Sequence, residues 1–123
     1  MIFNRKKTPD KKALLNTIRL HELDLMNIYM EIYTTYTNAI KHETDDWMIE
    51  GLRMNLHTIE EMLNMHKIKP IHAIGRRFNP KIHNAVLMRN MKDFSSGRVV
   101  DIVNMGFTKK GIIMMYTDVV VSQ

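Results

Sequence analysis

The chain has 123 residues, 45% of them apolar and 25% charged, with 18 Lys and Arg against 13 Asp and Glu. That length holds one modest domain or two very small ones, and the balance is ordinary for a folded soluble protein, which argues against wholesale disorder. No apolar run approaches the roughly 20 residues that span a bilayer, and the lack of cysteine removes disulfides, thiolate zinc sites and cysteine nucleophiles together.

The opening MIFNRKKTPDKK has no hydrophobic core behind its charges, so it does not read as a secretory signal. Thr8-Pro9-Asp10 is a helix start: Thr8 caps, Pro9 suits the first turn, and Asp10 favours the positive helix end. No Gly or Pro follows until beyond Lys41. Leu14, Ile18, Leu25, Ile28, Ile32 and Ala39 form one stripe at helical spacing, and Leu15, Met26, Tyr29, Tyr33, Tyr36 and Ile40 form a second. Two nearly adjacent stripes imply more than one packing neighbour, so a bundle completed by a second copy of the chain is expected. KHETDD breaks this helix, and Asp45 or Asp46 caps another that runs to about His66. Ile49, Leu52, Leu56, Ile59 and Leu63 make its inner stripe. Gly51 lies inside it, where glycine costs about 1 kcal/mol relative to alanine. Either that is a neutral accident, or a partner approaches too closely for a Cβ.

After Pro70 the texture changes. Four of the five glycines lie here, with the short β-branched runs RVVDIVNM and IIMMYTDVVV. GFTKKG separates these runs, which predicts a hairpin with a loop longer than two residues. IKPIHAIG predicts a further short strand. The fold class is therefore α+β: a helical dimerisation region over 1–67 and a small β-rich domain over 68–123. The twelve methionines read mostly as adaptable core filler.

Catalytic signatures are missing. The six histidines form neither HExxH nor an ExxH pair, and the glycines form neither GxGxxG, a Walker loop nor GxSxG. His57 and His66 lie nine apart on one helix, about 13 Å at 1.5 Å per residue, too far to share a metal. His83 has no neighbouring carboxylate to orient it, so a half-buried ring bonding nearby backbone is the favoured reading. No cofactor and no metal is expected. The basic balance raises nucleic-acid binding as a possibility. It is disfavoured because the cations are dispersed, with tight clusters only at Arg5-Lys6-Lys7, Lys11-Lys12, Arg76-Arg77 and Lys109-Lys110.

FNPKIHNAV at 78–86, then nineteen residues, then GFTKKG at 106–111, is similar to the C-terminal signature of GrpE, the nucleotide exchange factor of DnaK-type heat-shock chaperones. The matching positions are Phe78, Asn79, Pro80, His83, Ala85, Val86, Gly106, Phe107, Gly111, Met114, Val119 and Val121. IEGLRMNLHTIEEML, residues 49–63, resembles the family's bundle helix, with Gly51 at the glycine that faces the chaperone. The chain departs from the family in a shorter first helix, a basic balance, Met115 in place of an arginine, and Thr117 in place of a small residue. The family's Pro and Asp near the end of the first helix are not evident around Asn27 and Met30.

The resemblance implies a non-enzymatic co-chaperone in the cytoplasm or an organelle matrix. It would be a homodimer built on a four-helix bundle, and its partner the ATPase domain of a DnaK-type chaperone. It implies chaperone contact by Gly51, Arg53, Met54, Phe78, Asn79, His83, Gly106, Phe107 and Met115, and a dimer interface of Ile18, Leu25, Ile28, Ile32, Leu52, Leu56 and Ile59. A GrpE-like dimeric adaptor without exchange activity is the alternative, ahead of a basic nucleic-acid-binding protein.

Overall fold

The computed structural model describes residues 10–123, so the expected Thr8 cap and Pro9 first turn lie outside the described residues. Helix α1 spans Lys11–Lys41 and helix α2 spans Asp46–Met65. Asp10 and Asp45 stand at the N-cap positions, but neither side chain bonds its helix. Between the helices, the Glu43 N–H donates to Ile40 O at 3.2 Å and the Thr44 N–H to Ala39 O at 3.0 Å. That bond pair is a Schellman motif, with Glu43 at φ 51° in the left-handed position. It accounts for the break at KHETDD without a glycine.

The turn folds α2 back along α1 as an antiparallel hairpin. Tyr29 meets Glu60 near the middle, and Glu22 meets His66 further down. The second α1 stripe faces inward: Met26 and Tyr29 are buried against Leu56, Ile59 and Leu63 of α2. The first stripe is left largely open, with Leu14 48%, Ile18 39% and Ile28 45% exposed. Within one chain, then, the two stripes have different fates.

Six strands follow: β1 Ile68–Pro70, β2 His83–Arg89, β3 Val99–Asn104, β4 Phe107–Lys109, β5 Ile112–Met115 and β6 Thr117–Ser122. They form two three-stranded sheets, ordered β1-β4-β5 and β2-β6-β3. In the second sheet β6 is central, parallel to β2 and antiparallel to β3. Three sequence expectations need correction. The hairpin does not join the two β-branched runs; it joins β4 to β5 inside and after GFTKKG, and its loop is two residues long. Lys110 at φ 52° and Gly111 at φ 79° make that tight turn, whose twist matches the flanking strands. IIMMYTDVVV divides at Tyr116 into strands of different sheets. The HNAVLMR strand, β2, carries no alternating pattern to announce it, because every residue after His83 is exposed.

The first sheet shares its core with the helices. Ile68, Met105 and Phe107 join Met26, Tyr29, Leu56, Ile59 and Leu63 in one cluster. The Phe107 ring packs edge-on to Tyr29, with centroids 5.9 Å apart. The second sheet has its own smaller core of Ala73, Val99, Val119 and Val121. A charged cluster reinforces the first junction. Glu22, 3% exposed, accepts from Lys109 Nζ at 2.7 and 3.0 Å and lies 3.1 Å from His66 Nδ1. Lys109→Met would leave the buried carboxylate with the histidine alone. Solvent reaches the lysine, so the expected loss is about 2 kcal/mol, below that of a fully buried pair. Urea unfolding followed by circular dichroism measures it.

Candidate partner-contact site

The expected contact residues fall in three places. Gly51 and Met54 lie on the outer side of α2, away from α1, whereas Arg53, two residues on from Gly51, turns toward α1 and lines a groove with Tyr29, Tyr33 and Tyr36. Gly51 is exposed, and a Cβ built there meets nothing within 4 Å. Met54 is 59% exposed. Arg53 pairs with Glu50 one turn earlier, an exposed pair that lowers the Glu50 carboxyl below its usual range through the guanidinium hydrogen bond. Sequence reasoning missed Trp47 on this face. It is 74% exposed and stands four residues before Gly51 and seven before Met54, spacings that share one helix side. Its signal was available, since a lone tryptophan at that offset from an unexplained helix glycine belongs to the same face.

The second place is the Asn79-Pro80 turn. Exposed Asn79 is its hub. Its Oδ1 accepts from the Lys81 N–H at 3.0 Å, and its carbonyl accepts from the Ile82 and His83 N–H groups at 3.1 and 2.8 Å. Its own N–H donates to His83 Nδ1 at 3.0 Å. Phe78 is half-buried against the second core, its ring 6.0 Å from that of His83. His83 is 2% exposed, more buried than expected, and bonds backbone. Its Nδ1 is an acceptor, so the neutral proton sits on Nε2. Burial pushes its pKa below the usual 6.5. A depressed histidine contributes stability above pH 6.5 that is lost as pH falls, because the unfolded ring binds its proton first. The expected outcome is an NMR titration of the His83 ring below the usual histidine range, with declining stability over the same acidic window.

The third place is the helix–sheet junction. Phe107 is 1% exposed and Gly106 is buried. Met115 is half-buried and packs on the shared core. A Cβ on Gly106 would lie 2.4 Å from Thr117 Oγ1, 2.6 Å from Thr117 N and 2.7 Å from Met115 O. Thr117 is the β6 residue in register with His83 of β2. The two separated signature segments therefore meet at Thr117: His83 flanks it along the second sheet, and Gly106 closes against it from the other side. His83, Gly106 and Phe107 thus shape and brace this region from within. Of the expected residues here, Phe78 and Asn79 are the ones that reach the surface beside them. Gly51 and the junction are not adjacent; twelve residues of α2 from Gly51 to Leu63 cover about 18 Å.

Of the expected dimer residues, Leu56 and Ile59 are buried inside the chain against α1. Leu25, Ile32 and Leu52 are half-covered, and Ile18 and Ile28 are exposed. Among the described residues no group of three or more His, Asp or Glu side chains is arranged to hold a metal ion. What the arrangement offers is shape: an exposed helix face with an open glycine, and a turn held rigid by four bonds from one asparagine.

The family model GrpE matches residues 4–123. The protein GrpE of Carboxydothermus hydrogenoformans is 26% identical over 112 residues, covering 89% of this chain and 57% of that protein. The protein GrpE of Methanobrevibacter smithii is 25% identical over 117 residues, covering 94% and 63%. That of Helicobacter pylori strain HPAG1 is 24% identical over 92 residues, covering 75% and 48%. The chain thus spans about half to three-fifths of the length of these relatives. A signature whose two segments converge on one buried threonine, in a chain matched almost end to end, places this protein in the GrpE family.

Proposed function

We propose that the chain is a homodimeric nucleotide exchange factor that promotes ADP release from a DnaK-type chaperone. Family membership gives the co-chaperone class, and Gly51 is the observation that carries the site. A glycine in a helix interior costs about 1 kcal/mol, yet nothing in this chain comes near its Cβ position. The tolerance for that cost lies outside the chain, in a partner that packs closely on Trp47, Gly51 and Met54. No described helix is long and apolar enough to cross a membrane, and a cytoplasmic or organelle-matrix setting follows from the chaperone partner. The dimer contact is the first α1 stripe, with Ile18 and Ile28 exposed and Leu25 and Ile32 half-covered. It continues into an open groove of about 410 Å³ lined in part by Ile18, Leu25, Met62 and His66.

Exchange needs no catalytic group. A partner that binds the open nucleotide cleft better than the closed one shifts the equilibrium toward opening. A thousandfold faster release requires about 4 kcal/mol of preferential stabilisation of the opening transition state, which a few well-buried contacts supply. The Trp47, Gly51 and Met54 face makes one contact, with Arg53 on its flank toward α1. The other contact is the Phe78-Asn79 turn, held by His83, whose register partner Thr117 closes against Gly106. Gly51→Asp is expected to weaken chaperone binding about tenfold or more while leaving circular dichroism unchanged, since the site is open. Full binding by the variant would remove Gly51 from the interface.

Stopped-flow release of a fluorescent nucleotide from the cognate chaperone tests the whole reading. Strong acceleration supports it. The second reading, a dimeric adaptor, is favoured by Met115, which places a half-buried thioether where the family pattern has a cation. It predicts a stable complex without acceleration.

A further inference from the structure

Two features of the second sheet are not used by the exchange reading. One is β2, an edge strand joined to the sheet through β6 alone. Val86, Leu87 and Met88 are 51%, 51% and 50% exposed. Val86 is the extra residue of a bulge against β6, and beyond it Leu87 and Met88 point to opposite faces, so β2 is apolar on both. Edge strands are ordinarily blunted by proline, inward charge or a covering element, because their free backbone groups pair readily. Between His83 and Met88 β2 has neither proline nor charge, and its one bulge, at Val86, leaves Leu87, Met88 and Arg89 in regular register with β6.

The other feature is charge. Residues 68–123 carry nine Lys and Arg against three Asp, so the basic balance belongs to this half. Four of these cations, from three separate places in the sequence, are gathered by the fold. The Gln123 N–H donates to Arg89 O at 3.0 Å, and the Ser122 N–H to Arg98 O at 2.9 Å. Arg77 faces Arg98 across an antiparallel bridge, and the neighbouring Arg76 carbonyl accepts from Val99 N–H at 2.8 Å. Four arginines therefore surround the end of β6, beside the end of β2, and none is in an ion pair among the described residues. Like charges set directly opposite in a sheet are destabilising, a cost that a bound anion offsets. The far end of β2 is different: there Asp118 accepts from Asn84 and Asn104 at 3.3 and 2.9 Å. Charge along β2 thus runs from acidic to basic.

We propose that β2 takes an extended segment of a partner protein as an added strand, with aliphatic side chains against Val86, Leu87 and Met88 and carboxylates against Arg89 and Arg98. This goes beyond the exchange reading and does not depend on it. Main-chain bonds give such a strand its affinity, and alternate side chains its selectivity. Guanidinium forks match carboxylates in pairs of hydrogen bonds, which sets the direction of the acidic end. The aliphatic row offers no ring on which a nucleobase stacks, which favours a peptide over a single-stranded nucleic acid.

The test uses the full chain and a fluorescent peptide of alternating threonine and valine ending in glutamates, with a lysine-ended twin. Anisotropy should show binding of the glutamate-ended peptide alone. Arg89→Glu with Arg98→Glu should weaken it about tenfold, as should Leu87→Ser with Met88→Ser. Leu87, Met88 and Arg89 are exposed and Arg98 is half-buried, and circular dichroism checks that each variant keeps the fold. Equal binding of both peptides, binding of neither, or full affinity in either double variant overturns the proposal. So does an oligothymidylate that binds more tightly than the peptide, which would make the site one for nucleic acid. A lower mass of the Leu87→Ser, Met88→Ser variant by sedimentation would assign the edge to a second copy and overturn it equally.

Discussion

Gly106→Val should lower the unfolding free energy by about 3 kcal/mol or more, the upper end of what overpacking a closed site does. The reason lies in what the new side chain would meet. Two of the three nearest atoms to a Cβ at 106 are backbone, Thr117 N at 2.6 Å and Met115 O at 2.7 Å. Backbone at the junction of two paired strands, β5 ending at Met115 and β6 starting at Thr117, does not swing aside as a flexible side chain does. Thr117→Ala should therefore fail to rescue the variant, since it removes only Oγ1. Gly51→Ala is the control of opposite sign. With nothing within 4 Å of its Cβ, it is expected to stabilise α2 by about 1 kcal/mol. Urea unfolding at one fixed chain concentration checks both, since any self-association ties apparent stability to concentration. A Gly106→Val chain as stable as the parent would mean that β5 and β6 separate easily at Tyr116, and the account of the signature as a packing device would fail.

That contrast also shows what was legible in the sequence. The helices were, because α1 and α2 carry period-3.6 stripes over many turns and long periodic signals survive tertiary context. Two stripes on α1 imply two neighbours, and the single chain supplies one, α2 against Met26 and Tyr29, leaving Ile18 and Ile28 open. The strands were harder. β2 has no alternation, since it is exposed on both faces, and β5 runs into β6 with only Tyr116 to mark the change of sheet. The Lys110-Gly111 turn was overlooked because a lysine at positive φ is uncommon. Individual roles were least legible. His83, Gly106 and Phe107 read as contact residues because a signature reports what is fixed, and burial fixes a residue as firmly as contact does. Trp47 was passed over because it belongs to no signature, and only the helix geometry sets it beside Gly51.

The open α1 stripe carries the last expectation. Ile18→Asp combined with Ile28→Asp should convert the chain to a monomer at concentrations where the parent is a dimer. Each isoleucine is exposed in the single chain, at 39% and 45%, so the hairpin core of Met26, Tyr29, Leu56, Ile59 and Leu63 is left intact. In the dimer the part of each that is still exposed would be buried, worth about 1 kcal/mol of the 1.5–3 that full burial of an isoleucine gives. Losing two such contacts in each of two copies, and placing carboxylates against the partner's stripe, should weaken association at least a hundredfold, which is about 2.7 kcal/mol. Sedimentation of the parent and the variant reads this directly. Nucleotide release then separates two uses of the dimer. If the second copy only stiffens the hairpin under the β-domain, the monomeric variant should bind the chaperone but release nucleotide slowly. If α2 and the Asn79 turn of one copy suffice, release should persist in the monomer. A variant that stays dimeric would place the contact on another face, and the outer side of α2, with Trp47 74% exposed, would be the next to change.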